Sequence, residues 1–85
     1  MKYIFEIKKE LGVISSTKNG WQKELNLVSW NEKEPKYDIR EWSPDHERMS
    51  KGCTFTLSEL LILRKLLNDL DQLNVNITID LSDLK

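Results

Sequence analysis

The apolar and polar positions of this chain fall into two regimes. Up to about residue 57 they alternate with period two, as half-buried strands require, and beyond it they recur at helical spacing. The first run, YIFEIKK (3–9), sets Tyr3, Phe5 and Ile7 against Ile4, Glu6 and Lys8, and resumes through Val13 and Ile14 after Leu11-Gly12. The glycine predicts a bulge or bend inside one long strand. SSTKNG (15–20) predicts a hairpin turn, with Asn19-Gly20 as a type I′ pair. WQKELNLVSWN (21–31) reads as a second strand, NEKEP (31–35) as a turn and KYDIREW (36–42) as a third strand. SPDHERMSKG (43–52) is a polar loop, and CTFTL (53–57) is a short fourth strand.

Thr56 and Glu59 then stand at the spacing of a capping box, with Ser58 as a competing cap. From residue 58 to 73, Leu60, Leu63, Leu67 and Leu70 share a helical face, and Leu61, Ile62, Leu66 and Leu73 widen the apolar band. A small sheet covers only one side of such a helix. The surplus predicts a homodimer whose helices meet through Leu60, Leu63, Leu66, Leu67 and Leu70. The tail, NVNITIDLSDLK (74–85), alternates again and predicts a strand-like extension. The expected fold class is therefore α+β: a four-stranded twisted antiparallel sheet followed by one C-terminal helix. Residues 1–73 form the domain and 74–85 the extension.

Composition narrows the picture. A chain of 85 residues makes one small domain with a thin core, for which self-association is a natural remedy. Leu60–Leu63 is the longest apolar run, far short of a bilayer span, and the N-terminal stretch lacks the apolar block of a signal peptide. A soluble, cytoplasmic protein is expected. Cys53 and His46 are the sole cysteine and histidine, which excludes disulfide scaffolds and Cys/His zinc sites within one chain. Cys53, at the start of a strand, is expected to be a small buried or half-buried residue. The net charge is −1, but residues 1–52 carry ten cations against nine acids and residues 53–85 three against five. A polyanion site on this chain has to be local.

Candidate chemistry concentrates on the third strand. Alternation puts Lys36, Asp38, Arg40 and Trp42 on one side and Tyr37, Ile39 and Glu41 on the other. The second strand divides into Trp21, Lys23, Leu25 and Leu27 against Gln22, Glu24, Asn26, Val28 and Trp30. Aromatic and cationic groups on neighbouring strands suit single-stranded nucleic acid, whose bases stack on indoles while its phosphates seek Lys or Arg. The plainer alternatives are core tryptophans, an Arg40 surface ion pair, and lysines that merely solvate an edge. Pattern alone leaves these open.

The string KYDIREW, the loop, Lys51-Gly52, a short strand and a leucine-rich helix together resemble the C-terminal domain of the transcriptional coactivator positive cofactor four. WQKELNLVSWN and PKYDIREWSPDHERMSKG are similar to the small bacterial branch of that family, exemplified by the YdbC proteins. The likeness spans about residues 13–73. It implies four antiparallel strands and a helix, a homodimer joined through helices and adjoining strands, and sheets that bind single-stranded DNA largely without sequence preference. It further implies nucleic-acid contacts at Trp30, Lys33, Arg40, Trp42, Lys51, Lys23 and the adjacent Trp21; charge and placement add Lys18 and Lys36. Asp38 is expected to orient Arg40 or a neighbouring backbone group. The Ser- and Lys-rich arm of eukaryotic members is not seen ahead of this domain, so coactivation through it is not carried over.

The preferred reading is thus a non-enzymatic single-stranded DNA-binding protein acting in transcription, replication or repair, nucleoid-associated if bacterial. RNA is a close variant as ligand. No cofactor, metal, membrane or small-molecule substrate is expected, and no catalytic residue. A protein-interaction module on the same sheet is a second class. A metal nuclease built on Asp38, Glu41 and Asp45 is a third, disfavoured because Asp38 and Glu41 fall on opposite strand faces.

Overall fold

A computed structural model describes residues 4–73. The tail reading over 74–85 lies outside the described residues. Four strands, β1 (Phe5–Ser16), β2 (Gln22–Trp30), β3 (Lys36–Trp42) and β4 (Cys53–Phe55), precede one helix, α1 (Leu57–Leu73). The sheet is antiparallel throughout, in the order β1-β2-β3-β4. Thr56 and Glu59 close the capping box as expected: the Thr56 N–H donates to Glu59 Oε1 at 2.8 Å, and the Glu59 N–H to Thr56 Oγ1 at 3.2 Å.

β1 holds three register shifts against β2, which leave Lys8, Leu11 and Ile14 without opposing partners. The anticipated bend beside Gly12 is one of three. Each bulge adds twist and bends the strand, and each also changes which parity faces which side. Residues directly opposite across a ladder share a face. Phe5, Ile7, Glu10 and Val13 therefore stand on the face of Trp30, Val28, Asn26 and Glu24, and, across β3, of Lys36, Asp38 and Arg40.

The turns differ in detail from the sequence reading. Gly20 alone takes a positive φ (88°) in the β1–β2 connection, and its N–H donates to the Thr17 carbonyl at 3.1 Å. The type I′ requirement of two left-handed central residues is met instead at Asn31 (52°) and Glu32 (63°), closed by Lys33 N–H to the Trp30 carbonyl at 3.0 Å.

The core lies on the curled face. Trp30 and the partner position of Trp42 sit at opposite ends of β2, roughly 26 Å apart were the strand straight at ~3.3 Å per residue. Yet the Phe5 ring lies 5.9 Å from Trp30 and 5.2 Å from Trp42. The sheet is coiled enough for β1 to lay Phe5 between them. On the opposite face Leu25, Leu27, Tyr37 and Ile39 remain half-buried, and α1 packs against β3 and β4. Leu60 and Leu63 are half-buried, whereas Leu61, Ile62, Leu66, Leu67 and Leu70 are exposed. Cys53 is exposed rather than half-buried, because β4 forms the sheet margin.

Candidate nucleic-acid interface

At the β2–β3 end of the curled face a groove of about 640 Å³ is lined by Trp30, Asn31, Lys33, Glu34, Lys36, Arg40, Met49, Ser50, Lys51 and Thr54. The ring of Trp30 forms its aromatic element. The lining carries four cations and one acid, so the groove is locally positive on a chain of net charge −1.

Asp38 and Arg40 organise it. Arg40 Nε donates to Asp38 Oδ1 and Nη2 to Oδ2, both at 2.7 Å, in the parallel fork that guanidinium and carboxylate favour. The carboxylate is fully buried and the Arg40 side chain is 13% exposed. Nη1 reaches the Ser50 carbonyl at 3.3 Å, and the guanidinium carbon stands 4.5 Å from the Trp30 ring centroid. Asp38 thus orients Arg40, as anticipated, and Arg40 in turn backs the indole. Its charge is largely spent on Asp38, so the lysines carry the free positive charge of the rim. Gly52 makes room for this: a Cβ there would collide with Arg40 Cβ and the Ile39 carbonyl oxygen.

The loop after β3 is a built structure. Trp42 bridges Met49, and the Ser50 N–H donates to the Glu41 carbonyl at 3.0 Å, returning Ser50 and Lys51 to the groove. Asp45 accepts from the Ser43 hydroxyl at 2.6 Å and the Glu47 N–H at 3.0 Å. These bonds, the Ser43 hydroxyl first, hold its carboxyl below the ordinary value of 3.8.

Of the nine residues expected to contact nucleic acid, Trp30, Lys33, Lys36, Arg40 and Lys51 converge on the groove. Four do not. Lys18 lies exposed in the β1–β2 turn. Lys23 pairs across the ladder with Glu41 on the opposite face. Trp21 is half-buried, with the Arg48 guanidinium carbon 5.7 Å from its ring. Trp42 requires a correction: it is fully buried, packed by Phe5 and by the His46 ring stacked at 5.7 Å, and offers no face to a base. Alternation placed it on the right side of the strand, but that side is enclosed where β1 and the loop fold over it. Asn31, Glu34, Met49, Ser50 and Thr54, which also line the groove, were missed. Only the turn at Asn31 had a local signal.

The sequence profile of the family described as Transcriptional Coactivator p15 (PC4) matches residues 17–66, covering β2, β3, the loop, β4 and the first part of α1. A protein of Treponema pallidum (strain Nichols), described as an "Uncharacterized protein", is 47% identical over 66 residues, 78% of each chain. The matching family is known for single-stranded DNA binding and coactivation and is non-enzymatic, which supports a general nucleic-acid-binding role. With that match over more than half its length, this chain belongs to the transcriptional coactivator p15 (PC4) family.

Proposed function

We propose that the protein is a non-enzymatic, homodimeric single-stranded DNA-binding protein, largely indifferent to sequence, that serves transcription, replication or repair in the cytoplasm. The observation that carries this reading is the Trp30 ring, backed by Arg40 and rimmed by Lys33, Lys36 and Lys51. An indole offers any base a π-face, worth about 1–3 kcal/mol per stack, and lysines at the rim meet the phosphates on either side. Stacking on an indole and contacts to phosphates do not depend on base identity, which favours sequence tolerance. The exposed leucines of α1 support pairing of two copies, since a fully buried leucine contributes about 1.5–3 kcal/mol.

Fluorescence anisotropy of a labelled oligo-dT, beside a duplex of equal length and an oligo-U, tests the reading. Single-strand binding that weakens with salt and is lost in Trp30→Ala is expected. Equal or tighter binding to duplex would refute it, and tighter binding to oligo-U would reassign the ligand to RNA. Sedimentation of the free protein tests the dimer, with Leu66→Glu expected to yield monomers.

A further inference from the structure

Away from the groove, the curled face gathers a second set of polar groups. Glu24 on β2 is buried, with its side chain 4% exposed. Its carboxylate accepts from Asn26 Nδ2 at 2.9 Å and faces His46 Nε2, which lies 3.0 Å from Oε1 and 2.9 Å from Oε2. Glu10 reaches the same point from β1, with Oε1 3.9 Å from His46 Nε2. No lysine or arginine pairs with Glu24 among the described residues. Burying a carboxylate is costly unless hydrogen bonds and a nearby cation compensate, and a metal ion is one such cation.

We propose that Glu10, Glu24 and His46 form a site for one Zn²⁺ ion. One ligand atom from each lies within 4.8 Å of the others. Ligand atoms about 2.1 Å from a tetrahedral zinc stand about 3.4 Å apart, and the two separations from His46 Nε2, 2.9 Å to Glu24 and 3.9 Å to Glu10, bracket that value. An imidazole nitrogen among two carboxylates favours a transition metal over Mg²⁺ or Ca²⁺. Three protein ligands leave a fourth position for water.

The surroundings fit a metal as well. Asn26 Nδ2 donates to Oε1 of Glu24 and fixes the carboxylate with both oxygens toward the imidazole, as an outer hydrogen bond does for a metal-bound carboxylate. The buried Asn26 Oδ1 has no hydrogen-bond partner. His46 adopts a positive φ of 59°, and its ring is stacked on Trp42, so the imidazole is held in place before any ion arrives. Glu10 is 70% exposed and swings inward at little cost. Metal binding takes the Nε2 lone pair, so the imidazole binds the ion in its neutral form with any proton carried on Nδ1. The ion would tie β1 and β2 to the loop that carries Met49, Ser50 and Lys51 into the groove. The site stands independently of any nucleic-acid ligand.

The test is a zinc titration of the chelator-treated full chain against a chromophoric indicator, with the imidazole signals followed by NMR. His46 is the sole histidine, so those signals are unambiguous. One zinc per chain is expected, with the His46 signals shifted and no competition from excess Mg²⁺. Glu10→Gln, at an exposed position that leaves folding intact, weakens binding at least about tenfold, while Glu6→Gln leaves it unchanged. Unmoved His46 signals at excess zinc, or binding that survives Glu10→Gln, would overturn the proposal and leave a Glu24–His46 ion pair.

Discussion

The Asp38–Arg40 fork is the element on which the groove most depends, and Asp38→Asn tests it. Arg40 is 13% exposed and Asp38 not at all, so solvent screens the pair little. Hydrogen bonds to charged groups contribute about 1.5–3 kcal/mol, and removing one partner of a buried ion pair costs about 3–5 kcal/mol because the other charge stays stranded. For 85 residues a total stability of roughly 4–13 kcal/mol is expected, so Asp38→Ala alone approaches unfolding. Asp38→Asn keeps the shape and one acceptor oxygen and should lose about 2 kcal/mol by urea denaturation at constant m. The cycle is completed by Arg40→Met alone and with Asp38→Asn, where a coupling of at least about 1.5 kcal/mol is expected. Oligo-dT affinity should fall in Asp38→Asn because the Trp30 backing loosens, and any change in salt slope from the released Arg40 charge should come with the loss of stability. A coupling below about 0.5 kcal/mol, or a changed slope with unchanged stability, would refute the assignment of Asp38 as the group that positions Arg40.

Other expectations follow from single contacts. Lys33→Gln, Lys36→Gln and Lys51→Gln should each lower the salt slope of single-strand binding by about 0.7 per chain and shift stability by less than about 0.5 kcal/mol; Lys18→Gln and Lys23→Gln should leave the slope alone. Gly52→Ala should cost about 1–3 kcal/mol in urea and perturb Trp30 fluorescence, since the added carbon meets Arg40 Cβ and the Ile39 carbonyl. Trp42→Ala should cost about 3–5 kcal/mol as a core truncation, and folded Trp42→Phe should retain oligo binding. Asp45, depressed below 3.8 in the folded chain, contributes stability that is fully present above that value and lost as pH falls through the folded one. An NMR titration of its carboxyl should show a midpoint below 3.8, raised toward 3.8 in Ser43→Ala.

What could be read from the chain alone was whatever depends on local chemistry. Residues 36–42 alternate cleanly and are β3 to the residue, and the Thr56–Glu59 box starts α1 because both its bonds lie within one helical turn. Long-range curvature was illegible. Nothing near Trp42 announces that Phe5 and His46 enclose it, since those contacts come from a coiled sheet and a loop with a left-handed residue. The position of Glu10 was hidden for a related reason. Strict alternation sets it apart from Phe5 and Ile7, and only the bulge at Lys8 brings all three to one face. The type I′ geometry expected at Asn19-Gly20 stands at Asn31-Glu32 instead, because the β1–β2 ladder closes at Ser16 and Gln22 and leaves a connection longer than a two-residue loop.

The bulges of β1 bear also on how the protein behaves in concentrated solution. β1 is a margin of the sheet, twelve residues long, with Leu11, Val13 and Ile14 exposed along it. A flat strand of that length would template another chain and seed fibrils. Here an unpaired residue recurs at Lys8, Leu11 and Ile14, so outward N–H and C=O groups never keep an even spacing long enough for an incoming strand to zip onto them. The same irregularity that wraps the sheet around its core thus keeps a long apolar margin from becoming sticky.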